Sequence, residues 1–559
     1  MAFKLLFLAA VVGFTFCSGS EAANDDGSMP TVKKDSLHDG SSRKSYHILM
    51  VTMCLRGHFN PSAGQFRALV EKGHKVSVFT TDSCPEQVSK YMPGAVEVHE
   101  STVMPDIVVP LNPLEALISL RNYLHESGII NAYEEIDRFI DNSPHKYDLV
   151  IGDTLVGGTI LAARKHGIPI VNVFTAPLLE TARTRPSVWD RNQLPIEEPG
   201  EATSWKGVIV PSLLATLMEF LISIPIHQTL EQIHAQNGWE SVPYDYGRFH
   251  LSYVHRYSLL LSNGAAPFTR KFGEHYENVI SIGYVPDDVM YPPLTPELSN
   301  WLKTADRPVI FVSLGTVTVI GKEETRSLFS QLESQENFYF IWAVKPQQLE
   351  FLEIRQTPYV TKHLFLGQYL PQGSILQHPK VKLFVTHCGA NSVLDSIHAV
   401  KPMITFPGFA DQPLTSNILI NLRVAKLLKK FDYQQMELRI EEMLAEPNYS
   451  EMLGRLQKVQ EDQVKLGGYK AGVEIVEKVI EGQIKVNKSI AAEDVIGSLY
   501  TQFAISVLVF TFAIFMLILV LVCCCRVLCC RNGCCKCCSR SEKKQKTHLT
   551  KKQKSNKVD

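Results

Sequence analysis

"FVTHCGANSVLDSIHAV", residues 384–400, is the stretch from which the rest of the chain can be read. With the preceding Lys382 and Leu383 it makes an apolar run that ends on His387, turns on Cys388-Gly389 and opens into a helix from Asn391. In parallel α/β sheets, ligands bind beyond the carboxyl ends of strands, which is where His387 falls. A helix N-terminus offers free N–H groups and about half a positive charge, so it favours anions. Gly389 lets the backbone come close to a ligand. A phosphate is the natural occupant, with His387 donating a hydrogen bond and Asn391 and Ser392 adding side-chain donors. Taken alone, the stretch is equally readable as a capped helix beside a satisfied histidine.

The same strand–helix grammar recurs on both sides. "SYHILMVTMC" reads as a buried strand and "RGHFNPSAGQFRALVEKG" as a loop and helix, with Asn60 as cap, Pro61 in the first turn and Gly73 as stop. "HKVSVFTT", "YDLVIGD" and "IPIVNVFTAP" are further strands, with the helix "TLVGGTILAARKHG" between the last two. The pattern restarts at "RPVIFVSLGT" and runs through "NFYFIWAV", "KLFVTH" and "KPMITFPG". Such units imply parallel sheets covered by helices on both faces. The expected fold class is α/β, with two facing, doubly wound Rossmann-like domains. They span residues 45–285 and 306–490, joined by a proline-rich linker at 286–305. The apolar stretch Val208–Ile226 contains Pro211, Glu219 and Pro225, so it reads as a core helix or acceptor-pocket wall rather than a membrane span.

The chain has 559 residues, 45% of them hydrophobic and 20% charged, with a net charge of −1. No global basic footprint argues for nucleic acid. Residues 1–22 read as a secretory signal peptide: a lysine, an apolar run from Leu5 to Phe16, then small residues. Residues 503–522 are uncharged and long enough to cross a bilayer, and a basic tail follows. The expected topology is a single-pass type I membrane protein of the endoplasmic reticulum, with its catalytic part in the lumen. Its C-terminal lysines only partly match a dilysine retention signal.

Of 13 cysteines, nine lie between Cys523 and Cys538, in the cytosolic tail 523–559, a setting that suits palmitoylation. Cys54, Cys84 and Cys388 remain in the mature luminal part, too few and too odd a number for a disulfide framework. Asn448 and Asn487 head glycosylation sequons.

Around the opening stretch stand "GQYLPQGSILQHPKVKLFVTH" and "FPGFADQP". From Tyr369 through Gln412 this resembles the signature of the UDP-glycosyltransferases, which have the two-domain GT-B fold. The whole chain looks like the membrane-bound animal UDP-glucuronosyltransferases and UDP-glucosyltransferases. The resemblance implies that Tyr369, in place of a commoner Trp, stacks on uracil. It implies that the Leu370 backbone pairs with the uracil edge and that Gln372 lies near the ribose. His387 would contact the β-phosphate, with Gly389, Asn391 and Ser392 around the diphosphate and Ser313, Gly315 and Thr316 lining it from a neighbouring strand. Asp395 stands where the family usually has a Glu that holds ribose hydroxyls. Asp411 and Gln412 would bond the donor sugar. Cys388 replaces a frequent Gly.

Transfer from a UDP-sugar needs a base for the acceptor hydroxyl. His58 lies in the loop after the first strand, and a neutral imidazole with pKa near about 6.5 accepts protons at physiological pH. Asp153 ends another strand at the same edge and is placed to orient it, a role the resemblance also assigns. The expected chemistry is a single displacement with inversion, moving glucuronate (first choice) or glucose to a hydroxyl of a small lipophilic acceptor. No Asp-x-Asp pair is placed to hold a divalent metal, and no cofactor beyond the UDP-sugar substrate is called for. His378 and His398 read as structural. A homo-oligomer is compatible with the sequence. A nucleotide-dependent dehydrogenase would want Gly-x-Gly-x-x-Gly after the first strand, and none is there. A non-catalytic, membrane-tethered binder of nucleotide-sugar or lipophile is the alternative from another class.

Overall fold

The apolar runs become two separate seven-stranded sheets in a computed structural model of the chain. The structure describes residues 44–81, 84–101, 122–174, 225–241, 257–264, 278–315, 320–408, 412–429 and 431–485, with Met516 alone beyond them. The first sheet holds β1 (His47–Thr52), β2 (Lys75–Thr80), β3 (Val98–Glu100), β4 (Leu149–Asp153), β5 (Ile170–Phe174), β6 (Leu259–Ser262) and β7 (Val279–Ser281). Its order is β3-β2-β1-β4-β5-β6-β7, and every pair is parallel. Side chains alternate between two cores: Ile48 and Met50 face one, Leu49 and Val51 the other. A strand buried on both faces explains why the sequence shows an unbroken apolar run instead of alternation.

The second sheet holds β8 (Val309–Ser313), β9 (Tyr339–Ala343), β10 (Tyr359–Val360), β11 (Leu364–Gly367), β12 (Val381–Thr386), β13 (Met403–Thr405) and β14 (Ala425–Leu427). Its order is β10-β11-β9-β8-β12-β13-β14, with only β10 antiparallel to its neighbour. Thr386 is level with Ser313, and Ser313 with Ala343, so three carboxyl ends finish side by side. The helices that bear on the site are α1 (Arg56–Lys72), α2 (Pro296–Thr304), α3 (Pro346–Leu352), α4 (Gln372–Gln377), α5 (Ala390–His398), α6 (Gln412–Asn421) and α7 (Gly468–Ile480).

Three features differ from the expectation. The linker is shorter than 286–305, because Pro296 opens α2 and the Thr295 hydroxyl caps it by accepting from Leu298 N at 3.3 Å. Leu298, Trp301 and Leu302 then pack into the second domain's core. The predicted second domain, 306–490, includes α7, yet Tyr469, Val473, Val476 and Val479 pack into the first sheet's core. Backbone contact with α1 is close, since a Cβ on Gly64 would lie 2.4 Å from the Tyr469 ring.

The third difference is a disulfide between Cys54 and Cys84, with Cα atoms 6.0 Å apart. Three cysteines made no framework, but two of them end neighbouring parts of one sheet edge. Cys388 is buried and takes no part in a disulfide among the described residues. Among the described residues, no helix is long and apolar enough to cross a membrane. The predicted signal peptide, the 503–522 span and tail, most of Val208–Ile226, Thr316, Asp411 and Asn487 lie outside the described residues.

Candidate active site

His58 does not sit in a loop before the helix. Helix α1 already starts at Arg56, closed by His58 N and Phe59 N, which both donate to Leu55 O at 2.8 Å. Asn60 is therefore inside the helix and is not its cap, Pro61 is internal as well, and Gly73 ends the helix as expected, at φ 101°. The disulfide fixes Cys54, the residue just ahead of this turn.

His58 Nδ1 lies 2.9 and 3.1 Å from the two Asp153 carboxylate oxygens. Asp153 is 1% exposed and its Oδ1 also accepts from Leu155 N at 2.8 Å, so its position is fixed from behind. A proton shared from Nδ1 to the carboxylate leaves the basic lone pair on Nε2. The His58 side chain is 20% exposed, enough to meet a substrate.

Pro61 has a second consequence. In a regular helix, the amide of residue 61 would bond to the carbonyl of Gly57, but proline has no N–H. That carbonyl instead accepts from Asn391 Nδ2 of the second domain at 2.8 Å. Nearby, the Arg56 guanidinium lies 4.8 Å from the centre of the Tyr369 ring. Two contacts thus tie the turn carrying His58 to the second domain.

In the second domain, His387 follows β12 and lies between glycine backbones. A Cβ on Gly315 would come within 2.4 Å of its Cε1, and one on Gly389 within 2.5 Å of its Nε2. Gly315 also has φ 70°, a conformation other residues adopt at a cost. His387 Nδ1 is shut off from solvent and has no hydrogen-bond partner among the described residues. Burial, with the nearby Lys345 charge adding to it, lowers the imidazole's pKa to about 4. The ring is neutral at physiological pH, with a single N–H to give. Burial brings Lys345 itself down to about 8, which leaves it mostly charged near neutrality.

Around α5, Ser313 and Ser392 are buried, and Gln372 Nε2 donates to Ser392 Oγ at 3.3 Å. Tyr369 is 66% exposed and held at φ 47°, a left-handed conformation that turns its ring out of the core. Leu370 packs against the second domain's core instead. Cys388 takes the left-handed conformation a Gly would ordinarily supply, at φ 66°, with its side chain buried. Gln412 heads α6, and its Oε1 accepts from Gly408 N at 2.9 Å.

Asp395 is placed differently from a residue that reaches for ribose hydroxyls. Its carboxylate is buried and accepts from Tyr284 OH at 2.6 Å, Tyr291 OH at 2.8 Å and Gln372 Nε2 at 2.8 Å. Burial raises its pKa, which the three donors oppose. Both phenols are pushed above their usual range, by burial first and then by the carboxylate. His398 packs edge-on to the same two tyrosines, consistent with a structural role, and His378 Nδ1 accepts from Lys380 N at 3.3 Å. Asn448 is exposed at the start of its helix, with Nδ2 donating to Glu442 O at 3.0 Å.

Sequence reading missed Lys345, Arg56 and the two tyrosines. Lys345 was the findable one: like His387 it directly follows an apolar strand and precedes a helix. The tyrosines gave no local signal, because they act on a residue more than a hundred positions away.

The family model for UDP-glucoronosyl and UDP-glucosyl transferase matches residues 276–544. A UDP-glycosyltransferase of Dactylopius coccus is 24% identical over 403 residues, covering 66% of this chain and 72% of the relative. A UDP glycosyltransferase of Catharanthus roseus is 24% identical over 404 residues, 67% of this chain and 81% of its own. Among solved structures, a UDP-glucose: anthocyanidin 3-O-glucosyltransferase in complex with UDP superposes with TM-score 0.56 at 19% identity, over 79% of this chain and all of that one. The glycotransferase of kitacinnamycin gives TM-score 0.57 at 15% identity, over 78% and 99%. At such identities these structures establish the fold, two Rossmann-like domains in the GT-B arrangement.

Proposed function

The chain belongs to the UDP-glycosyltransferases, enzymes that draw on a UDP-sugar, and on that premise we propose that it moves glucose to a hydroxyl of a small lipophilic acceptor, with inversion and with His58 as the base. The observation that carries this reading is the meeting of two elements at one point. Gly57, the residue before His58, accepts through its carbonyl from Asn391 at the start of α5. This bond supports a reading in which the proton acceptor and an anion-binding helix end share one cleft.

In the reaction, His58 Nε2 takes the proton of the acceptor hydroxyl. Asp153 holds the Nδ1 proton and stabilises the imidazolium that forms. The acceptor oxygen bonds to the anomeric carbon while the bond to the β-phosphate oxygen breaks, and that electron pair leaves with UDP. The transition state is oxocarbenium-like. The neutral His387 N–H, the α5 amides from Gly389 onward and the Lys345 charge offset the charge growing on UDP. Gln412 and Asp411 are the residues to which the resemblance assigns hydrogen bonds to the donor sugar.

Glucose is preferred to glucuronate on two grounds. The Lys345 charge is felt by His387, so where His387 contacts the β-phosphate that charge would be matched by the diphosphate and not by a sugar carboxylate. The relative crystallised with UDP is by its own description a glucosyltransferase. The sequence further supports a luminal enzyme anchored by residues 503–522, and the family match runs through that stretch to residue 544.

The test is a panel of UDP-sugars offered to the full-length protein with one phenol or steroid alcohol, reading UDP release and the conjugate formed. UDP-glucose should give the highest kcat/KM. Preference for UDP-glucuronate would overturn the choice of sugar, and no release from any UDP-sugar would overturn the reading as a whole.

A further inference from the structure

We propose that Arg56 is the second face of the nucleobase site, so that its guanidinium and the Tyr369 ring clamp the base of the bound nucleotide across the cleft. The proposal rests on the reading above, in which Tyr369 carries the base.

Three observations lead to it. The Arg56 guanidinium lies over the Tyr369 ring at 4.8 Å, within the range of a cation–π contact. The ring is 66% exposed and held in a left-handed backbone conformation, so it is presented as a platform with one open face. Arg56 covers that face from the other domain, and its own turn is anchored there by the bond from Asn391 Nδ2 to Gly57 O at 2.8 Å.

A planar base fits between two planar groups when each gap is an ordinary stacking distance, which needs a guanidinium-to-ring separation of roughly 7–8 Å. Arg56 therefore has to lift by roughly 2–3 Å from its present place, a movement its flexible stem can make while Gly57 stays bound. Guanidinium planes and aromatic rings both stack on nucleobases, and a delocalised cation suits the electron-rich carbonyl pyrimidine. Arg56 thus compensates for a phenol being a smaller platform than an indole. Because Arg56 and His58 share the first turn of α1, base binding and placement of the catalytic imidazole are linked through one turn.

The test separates the two halves of the nucleotide. Inhibition of UDP-sugar turnover by uridine, by UDP and by inorganic pyrophosphate is measured for full-length wild type, Arg56→Ala and Arg56→Lys. Arg56→Ala should weaken uridine and UDP by about ten-fold, the scale of losing one stacking partner, and leave pyrophosphate unchanged. It should raise the KM for donor more than it lowers kcat. Arg56→Lys keeps the charge and loses the plane, so it should fall between the two. Unchanged pyrophosphate inhibition also certifies that the variants are folded. Equal weakening of UDP and pyrophosphate would overturn the clamp in favour of simple charge attraction, and no change in either would overturn it outright. A wild-type protein indifferent to UDP would overturn the functional reading along with it.

Discussion

His58 and His387 are products of one sequence pattern with opposite neighbours. Each follows the carboxyl end of a parallel strand and each lies beside a helix start. His58 is backed by a buried carboxylate, which fixes one nitrogen and favours a proton arriving on the other. His387 has no such partner among the described residues. It is buried between Gly315 and Gly389, and that burial, with the Lys345 charge adding to it, makes it resist protonation and remain a donor of one hydrogen bond. The pattern alone does not decide whether a strand-end histidine takes a proton or gives a hydrogen bond. A buried carboxylate decides it for His58, and burial with the Lys345 charge adding to it decides it for His387; neither partner is adjacent in sequence.

The comparison can be broken at several points. Asp153→Asn should have the largest effect, because an amide neither fixes the tautomer nor stabilises imidazolium. A loss in kcat of about a thousand-fold or more is expected, with UDP affinity little changed. Steady-state kinetics beside UDP titration measure both. If kcat falls by less than about ten-fold, the carboxylate is not orienting the base.

The next test concerns acid. His387 is depressed to about 4 in the folded state, against about 6.5 unfolded. Its contribution to stability is complete above about pH 6.5 and is lost as the pH falls towards about 4, a change of about 3 kcal/mol. Denaturant midpoints across that window should fall more steeply for wild type than for His387→Gln. Parallel curves would mean that the ring is not shielded in solution.

Asp395 offers a smaller effect. Tyr291→Phe takes one of three donors from a buried carboxylate and should cost about 1–3 kcal/mol in chemical denaturation. A neutral result would show that water reaches the carboxylate. Smallest is Asn391→Ala, which removes the bond to Gly57 and should lower stability by about 1 kcal/mol while raising the donor KM. Stability lost without any change in KM would place that bond outside the donor site.

The strands were legible because parallel strands buried on both faces must be apolar throughout, as in Leu149–Asp153 and Val309–Ser313. His387 was legible because its turn, glycine and helix start are contiguous. What stayed hidden depends on distant partners. Asp395 reads as one carbon shorter than a ribose-holding Glu, but Tyr284, at the end of the first domain, and Tyr291, in the linker, occupy it first. Cys54 and Cys84 are 30 residues apart, and only the sheet edge brings them together. Helix α7 belongs by position to the second domain, yet its valines are buried in the first. Pro61 suggested a helix start close to itself, but tertiary contact through Gly57 lets the helix begin five residues earlier.

In the proposed reaction the first domain removes a proton and the second holds the nucleotide. Single-turnover transfer by His58→Ala at saturating UDP-sugar tests that division most directly. The prediction is UDP binding close to wild type with transfer slowed by at least about a hundred-fold. Transfer at the wild-type rate, or loss of UDP binding together with transfer, would contradict it.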